Sequence, residues 1–286
     1  DGITRRSLVL SIAMALKGAR ATLSAASIES ASLDASLILS YLTHYTKVQL
    51  ITHDDELLDD SLLAKFNALI EKRAHGYPVA YILGYKEFWG LKLKVNEHTL
   101  IPRPDTETLV QAALECSISG NVLDMGTGTG AIILALKSEL KDNIKAYACD
   151  FSHGALEVAK ENARNLNLEV SFIESDWFSA IDKTLKFSMI VSNPPYIEDN
   201  DAHLKASSLP FEPITALTSG HDGLDDIRTI VSKAKDFLLE GAPLLLEHGY
   251  LQGQSVQEIF KNEGYDKVST IKDLEGRDRV TLGYKS

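Results

Sequence analysis

The sequence predicts an α/β protein with a mostly parallel sheet, preceded by a small all-helical domain and a β-hairpin linker. Three observations carry this. Apolar positions recur at helical spacing through residue 75, alternate with charged residues near residue 91, and from residue 121 fall into short apolar runs separated by helical stretches. Strands that alternate with helices are joined by crossovers, which make neighbouring strands parallel and cover both sheet faces. The expected organisation is 1–75 for a helical domain, 76–105 for the linker and 106–286 for the α/β domain. A chain of 286 residues, 44% hydrophobic and 24% charged, is long enough for one medium domain and a small companion, each with its own core.

At the N-terminus, Arg5 and Arg6 precede an apolar stretch from Leu8 to Leu16, and Ala19-Arg20-Ala21 offers small residues, a pattern that resembles a secretion signal. Leu8, Ile12 and Leu16 also recur every four residues, as on the apolar stripe of an ordinary surface helix. The first residue is Asp1, as at a trimmed or engineered end. Leu33, Leu37 and Tyr41 mark one helical stripe. Leu62, Phe66, Leu69 and Ile70 mark another, opened by the capping candidates Asp59 and Asp60. Near Gly76-Tyr77-Pro78 the period changes. Tyr85 to Phe88 and the alternating Leu91 to Val95 read as a hairpin turning at Trp89-Gly90.

Beyond residue 121 the expected strands are Val122 to Asp124, Lys145 to Asp150, Val170 to Glu174, Phe187 to Ser192 and Pro243 to Glu247. Helices are expected from about Gly130, from about Gly154, around Ile227 to Leu239 and around Gln254 to Asn262. Two closing strands, near Val268 to Ile271 and Arg279 to Tyr284, can pair as an antiparallel edge. No apolar run reaches the roughly 18 residues of a membrane-spanning helix, so a cytoplasmic protein is expected. A net charge of −11 opposes direct nucleic-acid binding, which rests on Lys and Arg neutralising phosphates. Cys116 and Cys149 lack metal-ligand or disulfide spacing, and no metal is expected. A monomer is expected as well.

The segment Val122 to Gly130 runs from strand to helix through Gly126, Thr127, Gly128, Thr129 and Gly130. Glycine permits a tight turn and close approach to a ligand, while the helix start offers free N–H groups. Asp150 lies twenty residues past Gly130 at the end of the next strand, where a carboxylate can accept hydrogen bonds from the ribose hydroxyls of an adenosine cofactor. The spacing Gly-x-Gly-x-Gly fits a methyltransferase loop better than the dinucleotide pattern. After the third strand, Ser175-Asp176-Trp177 places an acid and an aromatic where an adenine would lie. The alternative for Trp177 is a core aromatic at a strand end.

Asn193-Pro194-Pro195-Tyr196 follows the strand ending near Ser192, at the carboxyl edge where such sheets bind ligands. Two prolines remove two N–H donors and leave an acceptor-only surface. The Asn193 oxygen and the Pro194 carbonyl can each accept a hydrogen from an incoming NH2, with Tyr196 on its planar face. Such a cradle suits methylation of an amide or aromatic amine nitrogen, whose conjugated lone pair is a poor nucleophile.

These strings, together with Ile101 to Glu107, Phe211-Glu212-Pro213 and Gly223-Leu224, resemble the release-factor glutamine methyltransferase family, called PrmC or HemK, over nearly the whole chain. The resemblance implies a Rossmann-like class I methyltransferase fold using S-adenosylmethionine and yielding S-adenosylhomocysteine. The implied reaction is N5-methylation of the glutamine in the Gly-Gly-Gln motif of bacterial class I peptide release factors. It implies cofactor contacts at Gly126 to Gly130, Asp150, Trp177 and Asn193, and a glutamine held by Asn193 to Tyr196. The helical domain would help to grip the release factor. Arg103, Asp105 and Glu107 either close over the cofactor or bracket the linker through an Arg–carboxylate pair. His248, in Glu247-His248-Gly249, is not taken as a general base, because the alkylated nitrogen becomes acidic and needs none. An adenine-N6 DNA or RNA methyltransferase shares the Asn-Pro-Pro-Tyr string and is the competing reading. A non-catalytic adenosine-binding module would have no use for the cradle.

Overall fold

The computed structural model describes residues 9–205 and 209–286, and the chain forms two compact units, Asp1–Gly84 and Tyr85–Ser286. Arg5, Arg6 and Leu8 lie outside the described residues.

The first unit contains α1 (Ile12–Ala25), α2 (Ala31–Thr43), α3 (Lys47–Thr52), α4 (Asp60–Ala74) and α5 (Val79–Leu83). Ile12 and Leu16 are buried in its core with Leu23, Ile38, Leu39, Phe66 and Ile70. Asp59 caps α4 by accepting from the Leu62 N–H at 2.7 Å, and a Thr46–Gln49 capping box opens α3. The expected stripe on α2 is corrected: Leu33 and Tyr41 are exposed, and the buried face runs through Ala31, Asp34, Ala35, Ile38 and Leu39. Asp34 can be buried because the Arg73 Nε donates to it at 2.8 Å and the Ser30 hydroxyl at 2.9 Å. A charged residue satisfied across helices cannot be foreseen from an apolar period. Residues 76–84, grouped with the hairpin on sequence grounds, pack instead with the helical unit. Ile82 of α5 joins its core. Five residues are too few to display a helical period.

The second unit opens with the antiparallel hairpin of β1 (Tyr85–Phe88) and β2 (Leu91–Lys94), turning at Trp89 and Gly90, both with positive φ. The Glu107 carboxylate accepts from the Trp89 N–H at 2.9 Å and Glu139 from its indole N–H at 2.8 Å, which holds a bulky residue in a conformation it seldom adopts. After a 3₁₀ turn at Pro104–Thr106 come α6 (Glu107–Glu115), β3 (Gly120–Met125), α7 (Ala131–Leu140), β4 (Ile144–Asp150), α8 (His153–Asn165), β5 (Val170–Glu174) and β6 (Met189–Ser192). The chain continues through α9 (Asp225–Ala234), β7 (Pro243–Glu247), α10 (Gly253–Asn262), β8 (Asp266–Lys272) and β9 (Asp278–Tyr284).

The seven-stranded sheet has the order β5-β4-β3-β6-β7-β9-β8. It is parallel through β7, and β9 and β8 add the antiparallel edge. One face packs on α6 and α7 through Leu109, Ile133 and Leu136, the other on α9 and α10 through Ile227, Val231 and Phe260. Chain order reverses between β3 and β6, and that switch point opens a crevice at the carboxyl ends of the strands. Among the described residues no helix is long and apolar enough to cross a membrane.

Candidate active site

A cavity of about 650 Å³ occupies this crevice, with wall residues from the ends of β3, β4, β5, β6 and β7. Gly126, Gly128 and Gly130 take φ of 70°, 55° and 85°, a left-handed backbone that glycine adopts without steric strain. The loop is tied down from two sides: the Thr127 N–H donates to the Cys149 carbonyl at 2.9 Å, and the Gly128 N–H to Asp150 Oδ2 at 2.9 Å. Gly130 does not reach the cavity wall. It is the N-cap of α7, and a Cβ there would stand 3.0 Å from Leu134 and 3.4 Å from Ala159, so this glycine serves packing.

Asp150 Oδ1 accepts from the Ser152 N–H at 2.9 Å, so each of its oxygens holds one backbone donor and retains capacity for another. Burial pushes its carboxyl up, and these N–H groups pull it down. Trp177 takes φ of 49° and lays its ring 3.4 Å from the position a Cβ would occupy at Gly126. Its indole N–H donates to Asp226 Oδ1 at 3.0 Å, and Asp226 accepts in turn from the Ser219 hydroxyl at 2.6 Å. Beneath the loop lies Asp124, fully buried, whose Oδ2 accepts from the Thr127 hydroxyl at 2.7 Å and the Ile133 N–H at 3.3 Å. Burial pushes this carboxyl up to about 7. Its Oδ1 has no partner among the described residues.

Asn193, Pro194, Pro195 and Tyr196 line the same cavity. Ser192 anchors their strand end by donating to the Met125 carbonyl at 2.6 Å. The Asn193 Nδ2 donates to Thr106 Oγ1 at 3.5 Å, which leaves Oδ1 as the acceptor atom of that side chain. The Tyr196 hydroxyl donates to Glu247 Oε2 at 3.0 Å, and its carbonyl accepts from Gln252 Nε2 at 2.9 Å. A Cβ at Gly223 would lie 2.3 Å from that carbonyl, so the Gly223-Leu224 string exists to let two backbone segments meet.

Arg103 lines the cavity, whereas Asp105 and Glu107 do not. Its guanidinium donates to both oxygens of Glu212, at 3.0 and 2.5 Å, and the Ile101 N–H donates to Glu212 Oε1 at 2.8 Å. The bracket therefore forms with Glu212, more than a hundred positions away, and joins the segment before α6 to the Phe211-Glu212-Pro213 string. Asp105 faces Arg279 at 3.7 Å. His248 is fully buried off the cavity, its Nε2 against the Thr281 hydroxyl at 2.8 Å and its Nδ1 against the Gly249 carbonyl at 2.9 Å.

Sequence reasoning passed over three residues. Glu247 ends an all-apolar strand and lines the cavity at 2% exposure; the signal was there, overshadowed by the neighbouring histidine. Asp226 orients Trp177 and lacks any sequence signature. Asn162 is 1% exposed on the apolar face of α8. It donates to the Thr129 and Lys94 carbonyls and accepts from the Lys94 N–H, tying the hairpin to the glycine loop. Cys149 also lines the cavity, but burial pushes its thiol up to about 12, which leaves it unreactive. Among the described residues no group of three His, Cys, Asp or Glu side chains is arranged to hold a metal.

The cavity fits an adenosine-type cofactor: its volume suits a nucleoside-sized ligand, Asp150 keeps open acceptor positions on its wall, and glycine backbone leaves room beside an indole face.

Two families of known proteins match the chain, the PrmC N-terminal domain over residues 14–84 and the methyltransferase small domain over 104–211. The release factor glutamine methyltransferase of Vibrio cholerae serotype O1 is 46% identical over 97% of this chain and 98% of its own. The Escherichia coli K12 protein of the same name is 42% identical over 89% and 92%. Among solved structures, a methyltransferase from Pyrococcus furiosus superposes with a TM-score of 0.52 at 20% identity, covering 77% of this chain and 99% of that one. The hMettl16 catalytic domain superposes with a TM-score of 0.53 at 16% identity over 81% and 84%. At such identities these structures share the fold.

Proposed function

This chain belongs to the release factor glutamine methyltransferase family, and from that premise we propose that it transfers a methyl group from S-adenosylmethionine to the side-chain nitrogen of the glutamine in the Gly-Gly-Gln motif of class I peptide release factors. The observation that carries the reading is the acceptor-only cradle of Asn193 to Tyr196, with Asn193 Nδ2 engaged by Thr106 and Oδ1 left to receive a hydrogen. Gly126 to Thr129, Asp150 and Trp177, on the same cavity, are the proposed cofactor contacts, and the first unit is the proposed docking element for the factor.

When bound, S-adenosylmethionine supplies an electrophilic methyl carbon on a positively charged sulfur. Asn193 Oδ1 and the Pro194 carbonyl each accept one hydrogen of the glutamine NH2. They orient its nitrogen and stabilise the positive charge that grows on it. Tyr196, its hydroxyl committed to Glu247, lies against the planar amide. The nitrogen then sheds one proton to solvent. The net charge of −11 favours a protein substrate over a phosphate backbone.

The test is transfer of labelled methyl to a purified class I release factor, beside its Gln→Ala variant at the Gly-Gly-Gln motif and beside duplex DNA. Label on the intact factor alone, with at least a hundredfold loss in Asn193→Ala, is expected, on the scale of losing an oriented charge-stabilising group. Label on DNA with none on the factor would establish the adenine reading instead.

A further inference from the structure

We infer that Asp226 is a positioning residue for the cofactor, which fixes the Trp177 ring against the glycine loop through the indole N–H and so sets the affinity for S-adenosylmethionine. The inference rests on the cofactor reading proposed above and adds a residue to it. Trp177 has a positive φ of 49°, a conformation that a bulky side chain keeps only where its surroundings hold it, as they do at ligand clamps. Two contacts hold it here. The Ser175 hydroxyl donates to the Trp177 carbonyl at 2.6 Å, and the indole N–H donates to Asp226 Oδ1 at 3.0 Å. The side chain is half-buried and lies on the cavity wall, with ring atoms 3.4 and 3.7 Å from the place of a Cβ at Gly126. An indole has one polar hydrogen and a broad, roughly two-fold χ2 preference, so a bond to that hydrogen selects one ring orientation among those open to it.

Asp226 is itself fixed. It stands in the first turn of α9, a place that suits an acidic side chain, and forms a reciprocal pair with the buried Ser219. The Ser219 hydroxyl donates to Asp226 Oδ2 at 2.6 Å, and the Asp226 N–H donates to the same hydroxyl oxygen at 2.7 Å. Backbone bonds continue from Ser219 to the acceptor cradle. The Ser219 N–H donates to the carbonyl of Ile197, the residue after Tyr196, at 2.9 Å, and the Ile197 N–H donates to the Leu217 carbonyl at 2.9 Å. The indole is thus held from the segment that carries the cradle, about fifty positions along the chain, and one support serves both halves of the cavity.

Calorimetric titration of the full chain with S-adenosylmethionine tests this. Asp226→Ala is expected to weaken binding about tenfold, the scale of one lost hydrogen bond. Asp226→Asn keeps an oxygen for the indole and is expected to stay within about threefold of wild type. Trp177→Phe keeps a ring but has no N–H to hold, and about a tenfold loss is expected again. The double variant decides between positioning and a separate role: if Asp226 acts through the indole, Asp226→Ala adds nothing in the Trp177→Phe background, whereas independent effects multiply to about a hundredfold. Without any cofactor, the indole N–H resonance, assigned by its loss in Trp177→Phe, is expected to shift in Asp226→Ala and to move far less in Asp226→Asn. Multiplying losses, an Asp226→Ala protein that binds as wild type does, or an indole resonance indifferent to the substitution would overturn the inference and leave the cofactor reading standing. A wild-type protein with no affinity for S-adenosylmethionine would bring down the cofactor reading and this inference with it.

Discussion

Two buried carboxyls near the cavity, Asp124 and Glu247, hold their protons to about pH 7 because burial penalises their charged forms more than their hydrogen bonds favour them. For Asp124 the sign follows from linkage: a proton bound more tightly in the native state contributes stability that is present at low pH and is lost as pH rises from the ordinary value of 3.8 to about 7. Asp124→Asn keeps an acceptor for the Thr127 hydroxyl and the Ile133 N–H and removes the charge. Between pH 5 and 8 the wild type should therefore lose about 2–3 kcal/mol more unfolding free energy than the variant, at roughly 1.4 kcal/mol per unit. Urea unfolding at the two pH values measures this, and parallel losses in both proteins would show that Asp124 is ionised throughout. Asn193, by contrast, contributes little to stability by its one long hydrogen bond to Thr106; its value lies in the direction of its carbonyl.

At the scale of elements, the site is held by loops that meet across long sequence distances. The strand end carrying Tyr196 is clamped by Gln252 at the start of α10 and by the close passage of Gly223 before α9. Gly223→Ala must push apart two backbone segments and hold alanine at φ 77°. About 2 kcal/mol of destabilisation is expected, with a fall in kcat/KM for the factor that exceeds any change in cofactor affinity, since Tyr196 and not the glycine loop is displaced. Denaturant titration together with steady-state kinetics checks both parts, and a variant matching wild type in each would mean that the 220–224 segment yields freely. The hairpin and the glycine loop are joined in the same manner by Asn162, whose side chain serves three backbone groups at once.

For the molecule as a whole, 40 acidic against 29 basic side chains give a net charge of −11. A chain so charged gains little from counterion release on a polyanion. Methyl transfer to a release factor is expected to be unaffected by excess duplex DNA at about 0.15 M salt, where the screening length is roughly 8 Å. Competition by DNA that weakens steeply with salt would instead reveal a local basic face. Each unit carries its own apolar cluster, the first around Phe66 and Ile38 and the second on both sheet faces.

Much was legible in the sequence, because the signals were local. A glycine loop between strand and helix, an acid at the next strand end and a Pro-Pro pair after an apolar strand are short-range patterns, and the strands and longer helices of the second unit lie within a few residues of where periodicity puts them. The first unit was less legible. Its α2 face turns on Asp34 meeting Arg73, and α5 is too short to show a period. The same holds at the site. That Arg103 pairs with Glu212 instead of its acidic neighbours, that Asp226 takes the indole N–H of Trp177, and that Glu247 faces Tyr196 depend on which strand ends the sheet order places side by side. Side-chain chemistry and local backbone preference are written along the chain. Which buried charge finds which partner is decided by packing between distant segments, and only the tertiary structure contains it.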